Sequence, residues 1–344
     1  MRLRRIAIGL CLAGVVAAAG RVHAADTSLV AGINRAIVAE ESRGGSASPH
    51  LLPLLDRLAS VQFDNGALAD ASTSRQRALK IAVAAFGSGS ANAAKAMTAL
   101  AQIDILQLRY IDAEPLLTAA LANLNERLGD KNPALAEPLT ALARIAVAHG
   151  EFGRAEQLAG RAHAVSAHDR GRSAEALRAL GAAYAGEGRF AEGEAVLRQA
   201  LALDRQVHGD ASPEAARSLA QLANLLLRAQ RFEDALPPIE QALAIDQARL
   251  GAAHPLIADD FCDLGLIYAG LKRNENAVLI LAYAMGMLEQ AGARDNSRFA
   301  YAELDFAGVL RAMGYAKEAD TAFADAKRII DKAEEDDRQR EREL

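Results

Sequence analysis

The chain of 344 residues rebuilds one piece of punctuation at a fixed distance. Glycines fall at Gly45, Gly87, Gly129 and Gly171, 42 residues apart, and after a deletion of four at Gly209 and Gly251. Three residues beyond most of them stands a side chain suited to capping a helix: Ser48, Ser90, Asn132, Ser212 and, less typically, His254, with Asn296 continuing the frame. Pro49, Pro133, Pro213 and Pro255 follow directly. Glycine accepts the left-handed backbone that stops one helix, and a Ser or Asn oxygen satisfies a free amide in the first turn of the next. Proline at the first helical position forfeits no hydrogen bond. Each copy reads as a joint where one helix ends and another begins.

A second joint lies between the copies. Tyr110, Phe152, Phe190 and Phe232 are spaced 42, 38 and 42 apart, with Leu68, Asn274 and Ala316 in the same frame. Two joints per period make a helical hairpin. Such a unit cannot bury its apolar side alone, so successive units must stack. Composition agrees: half the residues are hydrophobic, only 4% are aromatic and tryptophan is absent, which favours close helix packing over a sandwich or barrel.

Within the period, Phe261, Leu264, Gly265 and Tyr268 occupy a first helix and Ala277, Leu281 and Ala284 a second. The same pattern appears as Leu177, Leu180, Gly181, Tyr184, Gly193, Leu197 and Ala200, and as Leu219, Leu222, Ala223, Leu226, Ala235, Ile239 and Ala242. It resembles the tetratricopeptide repeat, in the 42-residue form found in kinesin light chain. Flanking copies depart from it, with Gln62 and Asp104 at the tyrosine position, Arg75 at the second-helix aromatic and Glu303 at the first large residue. The resemblance implies an all-α fold, a right-handed superhelical solenoid of about seven antiparallel hairpins over residues 45–330. A capping segment at 25–44 precedes it and a charged helical tail at 331–344 follows.

The first 24 residues follow the plan of a secretory signal peptide: a basic start at Met1–Arg5, an apolar run at Ile6–Gly20, and small residues at Val22 and Ala24. That run of 15 residues is shorter than the ~20 a spanning helix needs, so cleavage after Ala24 is expected, with no stable membrane span. Leu10 before Cys11 argues against a lipid anchor. The expected location is the periplasm or the exterior. Cleavage removes four arginines and no acidic residue, leaving 35 basic against 44 acidic side chains, net −9. This argues against a nucleic-acid partner. Cys262 is then the one cysteine left, so no intrachain disulfide is expected.

No constellation of an enzyme stands out in the sequence. There is no His-Glu-x-x-His, Cys-x-x-Cys, phosphate loop or Gly-x-Ser-x-Gly elbow. His163 and His168, five apart, are too far round a helix to share a metal and read as surface histidines. The run Asp259–Asp263 reads as a solvated face, Gly87–Ser90 as a joint, and Cys262 as a packed thiol. No catalysis, cofactor or metal is expected.

In the resembling family the first helices line a concave wall that holds partner peptides or helices. Carried over residue by residue, the wall comprises Lys95, Thr98 and Gln102, then Glu137, Thr140 and Arg144, then Glu175 and Arg178. Later copies add Arg217, Asn224 and Arg228, then Asp259, Cys262 and Leu266. Arg144, Arg178, Arg217 and Arg228 would select an acidic or carboxylate-bearing protein segment, unless they are spent on Glu137 and Glu175. The expected role is an exported, non-catalytic interaction scaffold. The alternative is a structural subunit of an envelope complex that self-associates or uses its convex face.

Overall fold

The computed structural model describes residues 28–250, 254 and 257–343, and they contain fifteen α-helices and no strand. The signal-peptide segment, Gly251 and Pro255 lie outside the described residues. The described residues up to 207 and those from 208 onward form two compact units.

In the N-terminal unit, α1 spans 28–44. Four hairpins follow: α2 (Leu52–Asp64) with α3 (Leu68–Phe86), α4 (Ala91–Leu106) with α5 (Tyr110–Leu128), α6 (Ala136–Ala148) with α7 (Phe152–Val165), and α8 (Arg170–Gly186) with α9 (Phe190–His208). The segment expected to cap the stack is helical, and its Ile33 and Ile37 pack on Leu51, Leu55 and Ile81 of the first hairpin. The C-terminal unit holds three more: α10 (Pro213–Arg228) with α11 (Phe232–Leu250), α12 (Ala258–Gly270) with α13 (Asn274–Gln290), and α14 (Ser297–Ala312) with α15 (Ala316–Glu343). Within each unit the first helices of neighbouring hairpins touch one another, as α6 touches α8 and α12 touches both α10 and α14.

The joints are built as their residues dictate. Gly45, Gly87 and Gly129 have φ of 80°, 86° and 82°, and the Ser90, Ser212 and Asn296 side chains accept from the amides of Ala93, Ala215 and Phe299 at 3.0, 3.1 and 3.0 Å. Every hairpin is closed by a turn of three residues. Its middle residue is left-handed: Gly66, Gly150, Gly188 and Gly314, but also Leu108, Gln230 and Lys272, at φ of 60°, 57° and 63°. The amide after each one bonds a carbonyl five residues back, as Arg273 does to Tyr268 at 2.8 Å, closing the helix end.

One expectation is corrected. Gly171 does not stop a helix; it lies inside α8, whose cap is Asp169, accepting from the Arg172 amide at 3.0 Å. The four-residue deletion shortens α7 by a turn, to 14 residues against 19 for α5, and moves the joint forward.

Small residues let the hairpins close. A Cβ on Gly181 would stand 2.5 Å from Leu197 Cγ, and one on Gly265 would stand 2.7 Å from Leu281 Cγ. The joint aromatics Phe152 and Phe232 lay their rings against Gly186 and Gly270 of the next first helix, where a Cβ would overlap them. Leu197 and Leu281 are almost fully buried, each contributing about 1.5–3 kcal/mol. Arginines bridge successive hairpins, among them Arg154 to Glu114 at 2.6 Å and Arg189 to Glu156 at 2.8 Å. These pairs are about one-third exposed and screened by solvent, so they hold register more than they hold the fold.

Candidate functional site

In the N-terminal unit the wall predicted from the sequence is only partly a surface. Lys95 is exposed, and Gln102, Glu137, Arg144 and Glu175 are half-buried. Thr98 and Thr140, each 2% exposed, lie between neighbouring helices, and Thr98 Oγ1 donates to the Ala94 carbonyl at 3.0 Å. Arg178 is the clearest correction. It is 7% exposed, and its guanidinium donates to Asp204 Oδ2 at 2.6 Å, from α8 to α9 of the same hairpin. An arginine drawn inward by a buried carboxylate offers no charge to a ligand.

Neither expected counter-ion takes Arg178: Glu137 pairs with Arg172 at 3.0 Å. In the C-terminal unit, Arg217 is exposed and bonds Glu214 at 2.8 Å, while Arg228 is exposed at the end of α10. The four arginines of the cluster inferred from the sequence are therefore not four free charges. Its second member is internally neutralised and its third is paired within its own helix.

The C-terminal unit instead brings carboxylates together. On α12, Asp259, Cys262, Asp263 and Leu266 follow one another at i, i+3, i+4 and i+7, so they share a face. The same spacing on α14 gives Tyr301, Leu304, Asp305 and Gly308, and on α10 it gives Arg217, Ala220, Gln221 and Asn224. Side-chain contacts join the three stripes. Asn224 Nδ2 donates to both oxygens of Asp263 at 3.1 and 2.9 Å, and Arg298 of α14 reaches Asp259 of α12 at 3.3 Å. Tyr301 is 54% exposed beside them.

The electrostatics of this face follow from partial burial and mutual repulsion, with Arg298 offsetting Asp259. Burial pushes the Asp263 carboxyl up to about 7 although Asn224 favours the charged form, and Asp259 and Asp305 raise it further. Burial alone pushes Asp305 up to about 6. Asp260 is also raised well above its usual range, by burial and then by Asp263, Asp246 and Asp259. Cys262, among these carboxylates, is held as a thiol by burial and by their negative charge. A protonated thiol is a poor nucleophile, which agrees with a packing role. The run Asp259–Asp263 is thus only partly a solvated face, with Asp259 exposed and Asp260 and Asp263 half-buried.

The sequence held a signal for this that the reading missed. Gln221, Asp263 and Asp305 are 42 residues apart, so one register position carries an acceptor in three successive hairpins. Another missed pairing lies in the N-terminal unit, where His163 Nδ1 is 2.9 Å from the buried Ser173 hydroxyl, tying α7 to α8. His163 is therefore half-buried and bonded, and of the two only His168 lies on the surface. Among the described residues no three His, Cys, Asp or Glu side chains are grouped to hold a metal, and no helix is long and apolar enough to cross a membrane.

Residues 172–248 match the family described as Tetratricopeptide repeat. A solved structure of BtubC (BKLC) from P. vanneervenii is 20% identical, covering 66% of this chain and 92% of that one, with a TM-score of 0.51. A Rap protein complexed with Competence and Sporulation Factor is 12% identical, covering 87% and 80%, with a TM-score of 0.67. The apo form of RapI is 13% identical, covering 82% and 99%, at 0.56. At these identities the likeness concerns the fold alone. No match was found among the curated proteins.

Proposed function

We propose that this protein is an exported, non-catalytic interaction scaffold that holds a segment of a partner protein against the inner faces of its first helices. The observation that carries the reading is the exposed face of α10, α12 and α14. There, polar and apolar side chains from three hairpins converge on one surface, with Tyr301 54% exposed at its edge. A stack of two-helix units presents such a surface because each hairpin contacts only its neighbours, leaving one side of every first helix unspent. A Rap protein of similar fold has been captured with Competence and Sporulation Factor, which lends the reading support. Removal of residues 1–24 accompanies export on this reading.

Photoreactive residues placed singly at Gln102, Leu266 and, on the second helix α13, Leu279 test the surface in living cells. Adducts from Gln102 or Leu266 and none from the exposed Leu279 are the expected result. Adducts from Leu279 alone would place the partner on the other layer and overturn the reading. Export is checked by sequencing the N-terminus of the protein recovered from the periplasm or medium, which should begin at Ala25.

A further inference from the structure

The inner face of the C-terminal unit has a chemical sign. Gln221 Oε1 is buried with no hydrogen-bond partner. One hairpin on, at the same register, Asp263 accepts from the Asn224 amide and faces no cation among the described residues. One further on, no cation among the described residues offsets the burial of Asp305. These three positions are all acceptors, set in a column across α10, α12 and α14. Arg298 is engaged with Asp259 at 3.3 Å, and Arg217 and Arg249 lie by Asp246 of α11. Asp260 sees only the like charges of Asp246, Asp259 and Asp263. Gln221 Oε1 is a buried acceptor without a donor, which is costly, and the half-buried Asp263 and Asp305 add negative charge that no cation among the described residues offsets. The fold leaves these to something outside itself.

We propose that the Gln221–Asp263–Asp305 column receives an extended cationic segment of a partner protein, with Lys or Arg at every third residue and apolar residues between. This rests on the inner-face reading above and names the class of partner. Lys and Arg side chains bring donors and no acceptor, which matches a column of acceptors. Neighbouring helix axes stand about 9 Å apart, while a chain in the polyproline-II conformation rises about 3.1 Å per residue with about three residues per turn, so every third residue keeps one face and advances by about one helix. Leu266, Leu304 and Tyr301 flank the column and would meet the apolar residues between the cations. The partner is therefore basic, opposite in sign to the acidic segment expected from the arginines. Because Asp305 and Asp263 titrate near 6 and 7, the face releases its guest as the solution acidifies.

The test uses the full chain and three labelled hexapeptides: Lys-Leu-Ser-Lys-Leu-Ser, its isomer Lys-Lys-Leu-Leu-Ser-Ser, and the first with Glu for Lys. Binding is read by fluorescence anisotropy at physiological salt, and contact by photocrosslinking from Leu266. The spaced lysine peptide should bind at pH 8, at least fivefold tighter than its isomer, and lose most of that affinity by pH 5. Asp263→Asn with Asp305→Asn, which keeps side-chain volume, should weaken it at least tenfold, with circular dichroism confirming the fold. Asp336→Asn with Asp337→Asn in α15 should leave it unchanged. Equal binding of the two isomers, or an equal loss in the α15 variant, would reduce the effect to diffuse charge and overturn the proposal. Capture of the glutamate peptide at Leu266 would overturn the cationic class and leave the inner-face reading standing. No adduct with any peptide at Leu266 would remove both for this unit.

Discussion

Replacing Asp263 by Asn should stabilise the protein in neutral and alkaline solution and do little in acid. A carboxyl held at about 7 in the folded chain, against 3.8 ordinarily, binds its proton more tightly folded than unfolded. Stability therefore falls as pH rises from about 4 to about 7, and the loss is complete above the folded value. At about 1.4 kcal/mol per tenfold change in proton affinity, the ionised carboxylate costs on the order of 4 kcal/mol, a ceiling that water access and coupling to Asp259 and Asp305 reduce to roughly 2. Asparagine is the same size, and its amide oxygen still accepts from Asn224. Urea denaturation followed by circular dichroism, run on both proteins at half-unit steps from pH 4.5 to 8.5, gives the difference curve. The expected curve rises from pH 4.5 upward, levels above pH 7 and reaches roughly 2 kcal/mol in favour of the variant. A flat difference, or a variant less stable at pH 8, would refute the claim that this carboxylate loses more solvation than the Asn224 amide returns.

Arg178→Ala should cost about 3–5 kcal/mol by removing the cation that faces the buried Asp204 carboxylate, whereas Arg178→Met with Asp204→Leu should stay within about 1 kcal/mol of wild type by the same urea assay. Gly270→Ala should lower stability by about 1–3 kcal/mol despite alanine's better helix propensity, because the new methyl meets the Phe232 ring; a melting temperature that rises would contradict the packing described. Lys272→Gly relieves a left-handed lysine at φ of 63° and should raise stability by up to about 1 kcal/mol, seen as a higher urea midpoint. In a Cys11→Ser background, Cys262 should react with a disulfide reagent at pH 8 many times more slowly than free cysteine and speed up in denaturant, since burial and nearby carboxylates hold it protonated.

Much of the fold is legible in the linear sequence because its determinants are local. Ser90, Ser212 and Asn296 cap the helices that follow them, and Gly87 and Gly129 end the helices before them, whatever lies elsewhere in the chain. The period of 42 then dictates which helices pair. Where the frame slipped, at Gly171, a shortened α7 moved the joint to Asp169, a shift that glycine spacing alone did not reveal.

The wall residues were another matter. The repeat frame places Thr98, Thr140 and Arg178 at one position of successive first helices, with Cys262 at the same position later on. In the N-terminal unit that position is covered, at 2%, 2% and 7% exposure, while Cys262 stays half-exposed. How closely neighbouring first helices approach is decided by side chains far apart in sequence. So is whether a charged group finds its counter-ion inside, as Arg178 does in Asp204, or is left facing outward without one, as at Asp305. Periodicity sets which residues can share a face; desolvation and ion pairing, which are non-local, decide which of them remain available to a partner.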